Sequence, residues 1–376
     1  MTEAAAGPEI RRKEMGRGWR ACRDVEWWPG GDEGGQCGSG GRAVQREVVT
    51  LAHGGGGSAM AEMLSSMVLP VLGVRQVGED AALAAGVLLT TDSFVVKPLV
   101  FPGGDIGKLS VYGTVNDLAM RGGRPLAMTV GLIVEEGLPL AQLEMIVGSI
   151  AQAAARCGVE VVGGDTKVVE AGRSDGLYIN TTGLGEPLAA PEMLPGVGRA
   201  RPGDAVLLNG PVGEHGIAVL AARESLDFAA AVVSDCAPLH ELSAALVEEL
   251  GPSLHCLHDP TRGGLAAALN ELAVASGVGL VADEAAIPRS AAVEAACELL
   301  GFESLQVANE GKLVAVVEGR MADVALAIMR SHDVGRRAAV IGEVVERPAG
   351  RVLLKTRLGT TRVLDMPSGE LLPRIC

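Results

Sequence analysis

The chain has 376 residues, 48% of them hydrophobic, and a formal net charge of −14 from 32 Lys and Arg against 46 Asp and Glu. That balance argues against nucleic acid as a partner, because phosphate binding wants a basic face, and no apolar run nears the ~20 residues a membrane span needs. The length exceeds one ordinary core and predicts two domains, with aliphatic interiors because only three Trp, two Tyr and four Phe are present.

Residues 1–46 hold all three tryptophans and little periodicity, and read as a disordered extension or a wrongly assigned start. Arg11, Arg12 and Lys13 are followed by no apolar stretch, so this is not a secretory signal and the cytoplasm is the expected location. From Val48 the pattern changes. VVTLAH is a short β-type run ending in Gly54, Gly55, Gly56 and Gly57, and SAMAEMLSSMVLPVL is helical. GVLLTTD is a buried strand ending at Asp92, and IGKLSVYGTVNDLAMRG is a helix. PLAMTVGLIV is a strand, LAQLEMIVGSIAQAAARCG is an amphipathic helix closed by Gly158, and VEVVGGD and LYINTTGLG are strands. Prolines and glycines in PEMLPGVGRARPGD mark a boundary. Beyond it the alternation repeats through AVLLNG, a helix from about Gly216, TRGGLAAALNELAVASG and LVAVVEG. The expected class is α/β (α+β). Its parts are 47–195, an N-terminal α/β domain; 196–360, a C-terminal α/β domain; and 361–376, a flexible tail.

Four aspartates stand where strands or helices deliver them to one sheet end: Asp80 in GEDAA, Asp92 in TTDSF, Asp117 in VNDLAM and Asp165 in GGDTK. Mg²⁺ takes one or two carboxylates plus substrate phosphates, so this set is a candidate metal site. Any one of them alone is as well explained as a loop or cap residue. Gly54–Gly57 could cradle phosphate on backbone N–H groups, although four glycines are also an ordinary turn. PGGDIGKL imitates a phosphate-binding P-loop but fails the test: Pro102 stands for the first glycine and Leu109 for the Ser or Thr after Lys108. His255 and His258 in HCLHD lie three apart on a strand, on opposite faces, and are not expected to share a metal. Asp259, Thr261 and Arg262 precede a glycine pair opening a helix, a second anion-binding end. Lys167 and Glu310 are candidates for proton transfer, or else surface ion-pair partners.

Seven cysteines without a CxxC spacing form neither a disulfide framework nor a zinc site. Six are expected to act as small hydrophobes. Cys376 is the last residue, and prenylation is excluded because that signal puts cysteine fourth from the end.

These stretches resemble the HypE family of hydrogenase maturation factors, within the aminoimidazole-ribonucleotide-synthetase-like superfamily. The resemblance rests on LAHGGGG, TTDSFVVKPLVFPGGDIGKLSVYGTVNDLAM, GGDTKVV, INTTGLG, SDCAPL, DPTRGGLAAALNELA, ANEGKL, IGEV and the terminal LPRIC, and covers the chain except residues 1–46. It implies the two-domain fold of that superfamily, a homodimer joined through the N-terminal domains, ATP and Mg²⁺. By resemblance, Asp80, Asp92, Asp117 and Asp165 fall on nucleotide–metal positions, and Lys108, Asn116, Asp259, Thr261 and Arg262 join the ATP-binding set. Lys167 and Glu310 fall on positions that help deprotonate the modified thiol group, and Cys376 is the acceptor. The implied chemistry is ATP-dependent dehydration of an S-carbamoyl group on Cys376 to a thiocyanate. A HypF-like carbamoyltransferase would load it, and a HypC–HypD-like iron scaffold would receive the cyano group. Thiamine-phosphate kinases, selenide-dependent dikinases and the purine-pathway synthetase share the superfamily motifs but lack the terminal cysteine. A non-catalytic ATP-binding scaffold would have no need of Asp165, Lys167 and Glu310.

Overall fold

A computed structural model describes residues 48–74, 78–226, 232–368, 372 and 374–376; the expectation for residues 1–46 lies outside them. Residues Val49 to Cys376 form one compact unit built on two main sheets. The first elements are α1 (Ser58–Met63), a π-helical turn at Leu64–Val68, α2 (Leu69–Leu72), β1 (Ala82–Ala84), β2 (Val87–Phe94), β3 (Val100–Phe101) and β4 (Gly104–Asp105). Then come α3 (Ile106–Met120), β5 (Gly123–Glu135), α4 (Leu140–Cys157), β6 (Glu160–Val169) and β7 (Leu177–Pro187). They give a five-stranded sheet in the order β1-β2-β7-β5-β6, antiparallel except between β5 and β6.

The second half supplies β8 (Asp204–Leu208), α5 (Glu214–Glu224), α6 (His240–Leu250), β9 (Leu254–His258), α7 (Gly264–Ser276), β10 (Gly279–Asp283) and α8 (Ala291–Leu300). After these follow β11 (Val314–Glu318), α9 (Ala322–Ser331), β12 (Ala339–Val345), β13 (Arg351–Lys355) and β14 (Thr361–Val363). Its seven strands run β14-β13-β10-β12-β8-β11-β9, with β10–β13 the parallel neighbours. The preponderance of antiparallel pairs makes the α+β form of the expected class the right one.

Helix α3 is the hinge of the architecture. Asp105 caps it by accepting from the N–H groups of Gly107 and Lys108 at 2.8 and 3.1 Å. That carboxylate sits where a P-loop would seat a phosphate, which settles against the imitation motif. Nearly every α3 side chain is buried, as for a helix covered on all sides. Ile106, Leu109 and Val115 fill the first core with Phe94, Ile146 and Ile179; Ala119 and Met120 reach a second core with Leu207, Leu242 and Met329. One helix thus fixes the two halves against each other.

Two expectations change. Leu51–Gly54 is a 3₁₀ turn and not a strand end: among the described residues no strand pairs with it, and the Thr50 N–H donates to His53 Nδ1 at 3.1 Å to close the turn locally. The C-terminal stretch is docked. Thr361–Val363 pairs with β13, Leu364 is buried in the second half, and Ile375 is buried among Phe94, Val96 and Phe101 of the first.

Candidate active site

A cavity of about 330 Å³ lies between the two halves, and its wall collects residues far apart in sequence. Asp80 comes from the loop before β1, Asp92 from β2, Asp117 from α3, Asp259 from the end of β9, Thr261 and Arg262 from the turn into α7, and Glu310 from the loop before β11. Gly56 and Gly57 lead into α1 along one side, and Cys376 closes another. Gly54 and Gly55 line a neighbouring, smaller cavity that shares Ser93, Arg262 and Cys376 with the first.

The glycines are required by close approach. At Gly56, with φ +72, an added Cβ would lie 2.6 Å from the Arg262 Cβ; at Gly264, with φ +63, it would meet the Leu305 and Val307 carbonyl oxygens at 2.6 Å. The N-terminal turn of α7 is thereby pressed against the loop that carries Glu310.

Electrostatics set the chemistry. Asp117 is half-buried on α3 and accepts from Thr90 Oγ1 at 2.8 Å. Burial first, then the nearby Asp259, Asp92 and Asp80 charges, hold its carboxyl far above the usual range. Burial and the Asp80 charge push Asp259 up to about 8, and burial also raises Asp92. His258 bridges two acids, its Nδ1 2.9 Å from Asp80 Oδ2 and its Nε2 2.7 Å from Glu271 Oε2. Burial opposes its charge, but the two carboxylates prevail and raise it well above an ordinary imidazole. Asp80, His258 and Asp259 each offer a ligand atom, all within 4.8 Å of one another. Apart from the His258 nitrogen the donors are hard carboxylate oxygens, and carboxylates that repel one another fit a divalent cation, which would relieve that repulsion.

In the same wall, Glu310 is 4% exposed and its Oε1 has no hydrogen-bond partner. Burial, then Asp259, Asp235 and Asp92, raise it well above the carboxylate norm. Burial and Glu310 likewise raise the Cys376 thiol, while Arg262 opposes the shift. The docked thiol therefore stays S–H, a poor nucleophile. Six charged predictions (Asp80, Asp92, Asp117, Asp259, Arg262 and Glu310), with Thr261, Cys376, Gly56 and Gly57, meet at this one cavity.

Four others do not. Asp165 and Lys167 pair with each other at 2.7 Å on β6, an edge strand, with side chains about 70% and 67% exposed. Within one chain they are separate from the carboxylate cluster, because β6 follows β5 outward from the sheet. The Asn116 amide is consumed in structure: Nδ2 donates to the Ala237 carbonyl at 3.1 Å and Oδ1 accepts from the Leu239 N–H at 2.8 Å. Lys108 donates to the Gly103 carbonyl at 3.0 Å and lies over the Tyr112 ring. Sequence reasoning missed Thr90, Glu271 and the role of His258. HCLHD drew attention to a His255–His258 pair, whereas His255 faces away onto Asp204 at 2.7 Å. The usable signal was position: His258 ends β9 directly before Asp259, where the strand delivers its last side chains to the sheet end.

The sequence model of the AIR synthase related protein N-terminal domain matches residues 78–186, and that of the C-terminal domain matches residues 201–355. The carbamoyl dehydratase HypE of Cupriavidus necator is 51% identical over 335 residues, covering 87% of this chain and 95% of its own length. A crystal structure of a HypE–HypF complex aligns with a TM-score of 0.77 at 46% identity, over 81% of this chain and 99% of that one. A HypE structure in complex with ATP aligns at 0.75 and 44% identity, over 88% and 100%.

Proposed function

The chain belongs to the carbamoyl dehydratase HypE family of AIR synthase related proteins, ATP-dependent enzymes of hydrogenase maturation, and from that membership we propose that its own Cys376 is the substrate-bearing residue. In this reading the thiol carries –C(=O)–NH₂, and ATP supplies the phosphoryl group that turns the carbamoyl oxygen into a leaving group. Loss of the two nitrogen protons and of the oxygen as phosphate leaves S–C≡N, so that thiocarbamate plus ATP gives thiocyanate, ADP and phosphate.

The observation that carries the reading is the contact zone between Cys376 and Glu310, at the end of a cavity lined by Asp80, Asp92, Asp117 and Asp259. Glu310, with an unpartnered oxygen and a raised proton affinity, is suited to take a proton from the carbamoyl nitrogen. Arg262 is suited to hold negative charge that develops on the carbamoyl oxygen. The carboxylates would hold Mg²⁺ and, through it, the triphosphate, with Gly56 and Gly57 alongside. Asp165 and Lys167 belong to this site only by way of a second copy, in a homodimer whose contact includes β6. Because the docked thiol is protonated, half-buried and turned into the cavity wall, loading by a HypF-like carbamoyltransferase, and delivery to a HypC–HypD-like iron scaffold, require the tail to leave.

The test is mass spectrometry of the C-terminal peptide after incubation with carbamoyl phosphate, ATP and the cognate carbamoyltransferase. The wild type gains one carbamoyl group and then loses one water. Cys376→Ala keeps fold and nucleotide binding and gains nothing. Modification at any of the other cysteines would sink the reading.

A further inference from the structure

The stretch SDCAPL, at Ser234 to Leu239, contributes nothing to the cavity wall, yet it touches both reacting ends. The Asp235 side chain is buried, 3% exposed, and accepts from the N–H groups of Glu310 and Gly311, each at 3.2 Å, and from Lys312 Nζ at 2.8 Å. The two loops are in backbone contact: a Cβ on Gly311 would fall 1.9 Å from the Asp235 carbonyl oxygen. The peptide planes on either side of Glu310 are therefore fixed by Asp235. Next door, Ser234 Oγ lies 2.8 Å from His215 Nδ1, and His215 Nε2 lies 2.8 Å from the carbonyl oxygen of Ile375.

His215 is fully buried on α5, packed edge-on against the Phe101 ring at 5.3 Å. Its partners decide its tautomer. A carbonyl only accepts, so Nε2 carries the proton and donates to Ile375. Nδ1 then accepts from the Ser234 hydroxyl, whose oxygen accepts in turn from the Cys236 N–H at 3.1 Å. Burial lowers the imidazole's proton affinity, in keeping with a neutral ring. The carbonyl it holds shares a rigid plane with the nitrogen and Cα of Cys376, so orienting that carbonyl orients the terminal residue. Backbone contacts further out add to the seat: the Lys97 N–H donates to the Arg374 carbonyl at 3.2 Å, and Arg374 Nη1 to Asp175 at 3.0 Å.

We propose that His215 is a positioning residue: through the Ser234–Asp235 loop it refers the docked tail and Glu310 to one rigid segment, setting the Cys376 sulfur against the Glu310 carboxyl. The assignment rests on the function proposed above for Cys376 and adds a residue to it. Its consequence is a split that a purely structural residue would not produce. Loss of the latch exposes the thiol, which favours loading, and misplaces it, which disfavours dehydration.

The experiment uses the full chain and two readouts. The first is alkylation of Cys376 by iodoacetamide, followed on the C-terminal peptide, which needs neither ATP nor a partner. The second is single-turnover loss of water from pre-carbamoylated protein with Mg–ATP. His215→Ala leaves the Ile375 carbonyl unpaired, so alkylation should quicken and dehydration slow, each by ~10-fold, the factor one buried hydrogen bond commands. His215→Gln keeps a donor for Ile375 and an acceptor for Ser234, and should restore both rates. Ser234→Ala removes only a hydroxyl, should shift both in the same sense by a smaller factor, and decides the matter alone if His215→Ala does not fold. Unchanged alkylation in the folded variants overturns the latch. So does a parallel slowing of loading and dehydration that Gln does not rescue. A wild type that never loses water would instead sink the Cys376 reading, while the alkylation arm still judges the latch.

Discussion

Asp117 and Asp259 are held as acids that keep their protons, and the sign of the resulting pH dependence follows. Their folded-state affinity for protons exceeds the unfolded one, so between the unfolded value near ~4 and the folded value the native state binds more protons and stability falls as pH rises. For Asp259 that window closes at about 8. His258, also raised, contributes stability that is complete below its unfolded value and fades as pH climbs through the folded one, the same slope. Metal-free protein should therefore lose Tm steadily from about pH 5 to about pH 8. Mg²⁺ binding should flatten the slope and release protons, measurable by titration calorimetry in buffers of different ionisation enthalpy. A slope of zero without metal would show that the cluster is already compensated. Glu310 is distinguished from these groups by its task. Glu310→Gln preserves shape but cannot accept the nitrogen proton, so dehydration should slow by ~10²–10⁴-fold while Mg–ATP affinity holds. Calorimetric affinity and single-turnover mass spectrometry separate the two effects.

At the level of elements, the start of α7 and the middle of α4 make opposite demands on glycine. Gly264 has φ +63 and two carbonyl oxygens within 2.6 Å of where a Cβ would be. Gly264→Ala should cost about 1–3 kcal/mol and weaken Mg–ATP binding, because the α7 turn must retreat from the Glu310 loop. Gly148 lies inside α4 with nothing near its missing Cβ. Gly148→Ala should stabilise by roughly 0.5–1 kcal/mol through backbone entropy. Urea unfolding of the two variants checks both signs, and equal losses would refute the distinction.

For the molecule as a whole, β6 is an edge strand with Val161, Val162 and Val168 exposed beside the Asp165–Lys167 pair. An uncovered apolar edge invites pairing with another chain. Val168→Lys, 69% exposed and therefore harmless to the monomer fold, should yield a monomer in sedimentation velocity and should depress dehydration if Asp165 and Lys167 act in a partner's site. A wild type that sediments as a monomer at micromolar concentration would refute that arrangement.

Much of this was written locally. Period and punctuation in the sequence located α3, α4 and α7, the strand that carries Asp92 (though it runs on to Phe94), and the αL stop at Gly158, because such signals depend on residues a few positions apart. The motifs likewise marked Asp80, Asp92, Asp117, Asp259, Arg262, Glu310 and Cys376. What local pattern could not give was which of them meet. Asp165 and Lys167 read as members of the same set, but sheet order puts β6 at the edge, and strand order is fixed by pairings as distant as Leu88 with Gly185. The terminal stretch reads as free because it is short and mostly aperiodic; only the assembled core offers a slot for Ile375. The His215 contact to Ile375 spans 160 positions, so it exists only once α5, the Ser234 loop and the tail have been folded together.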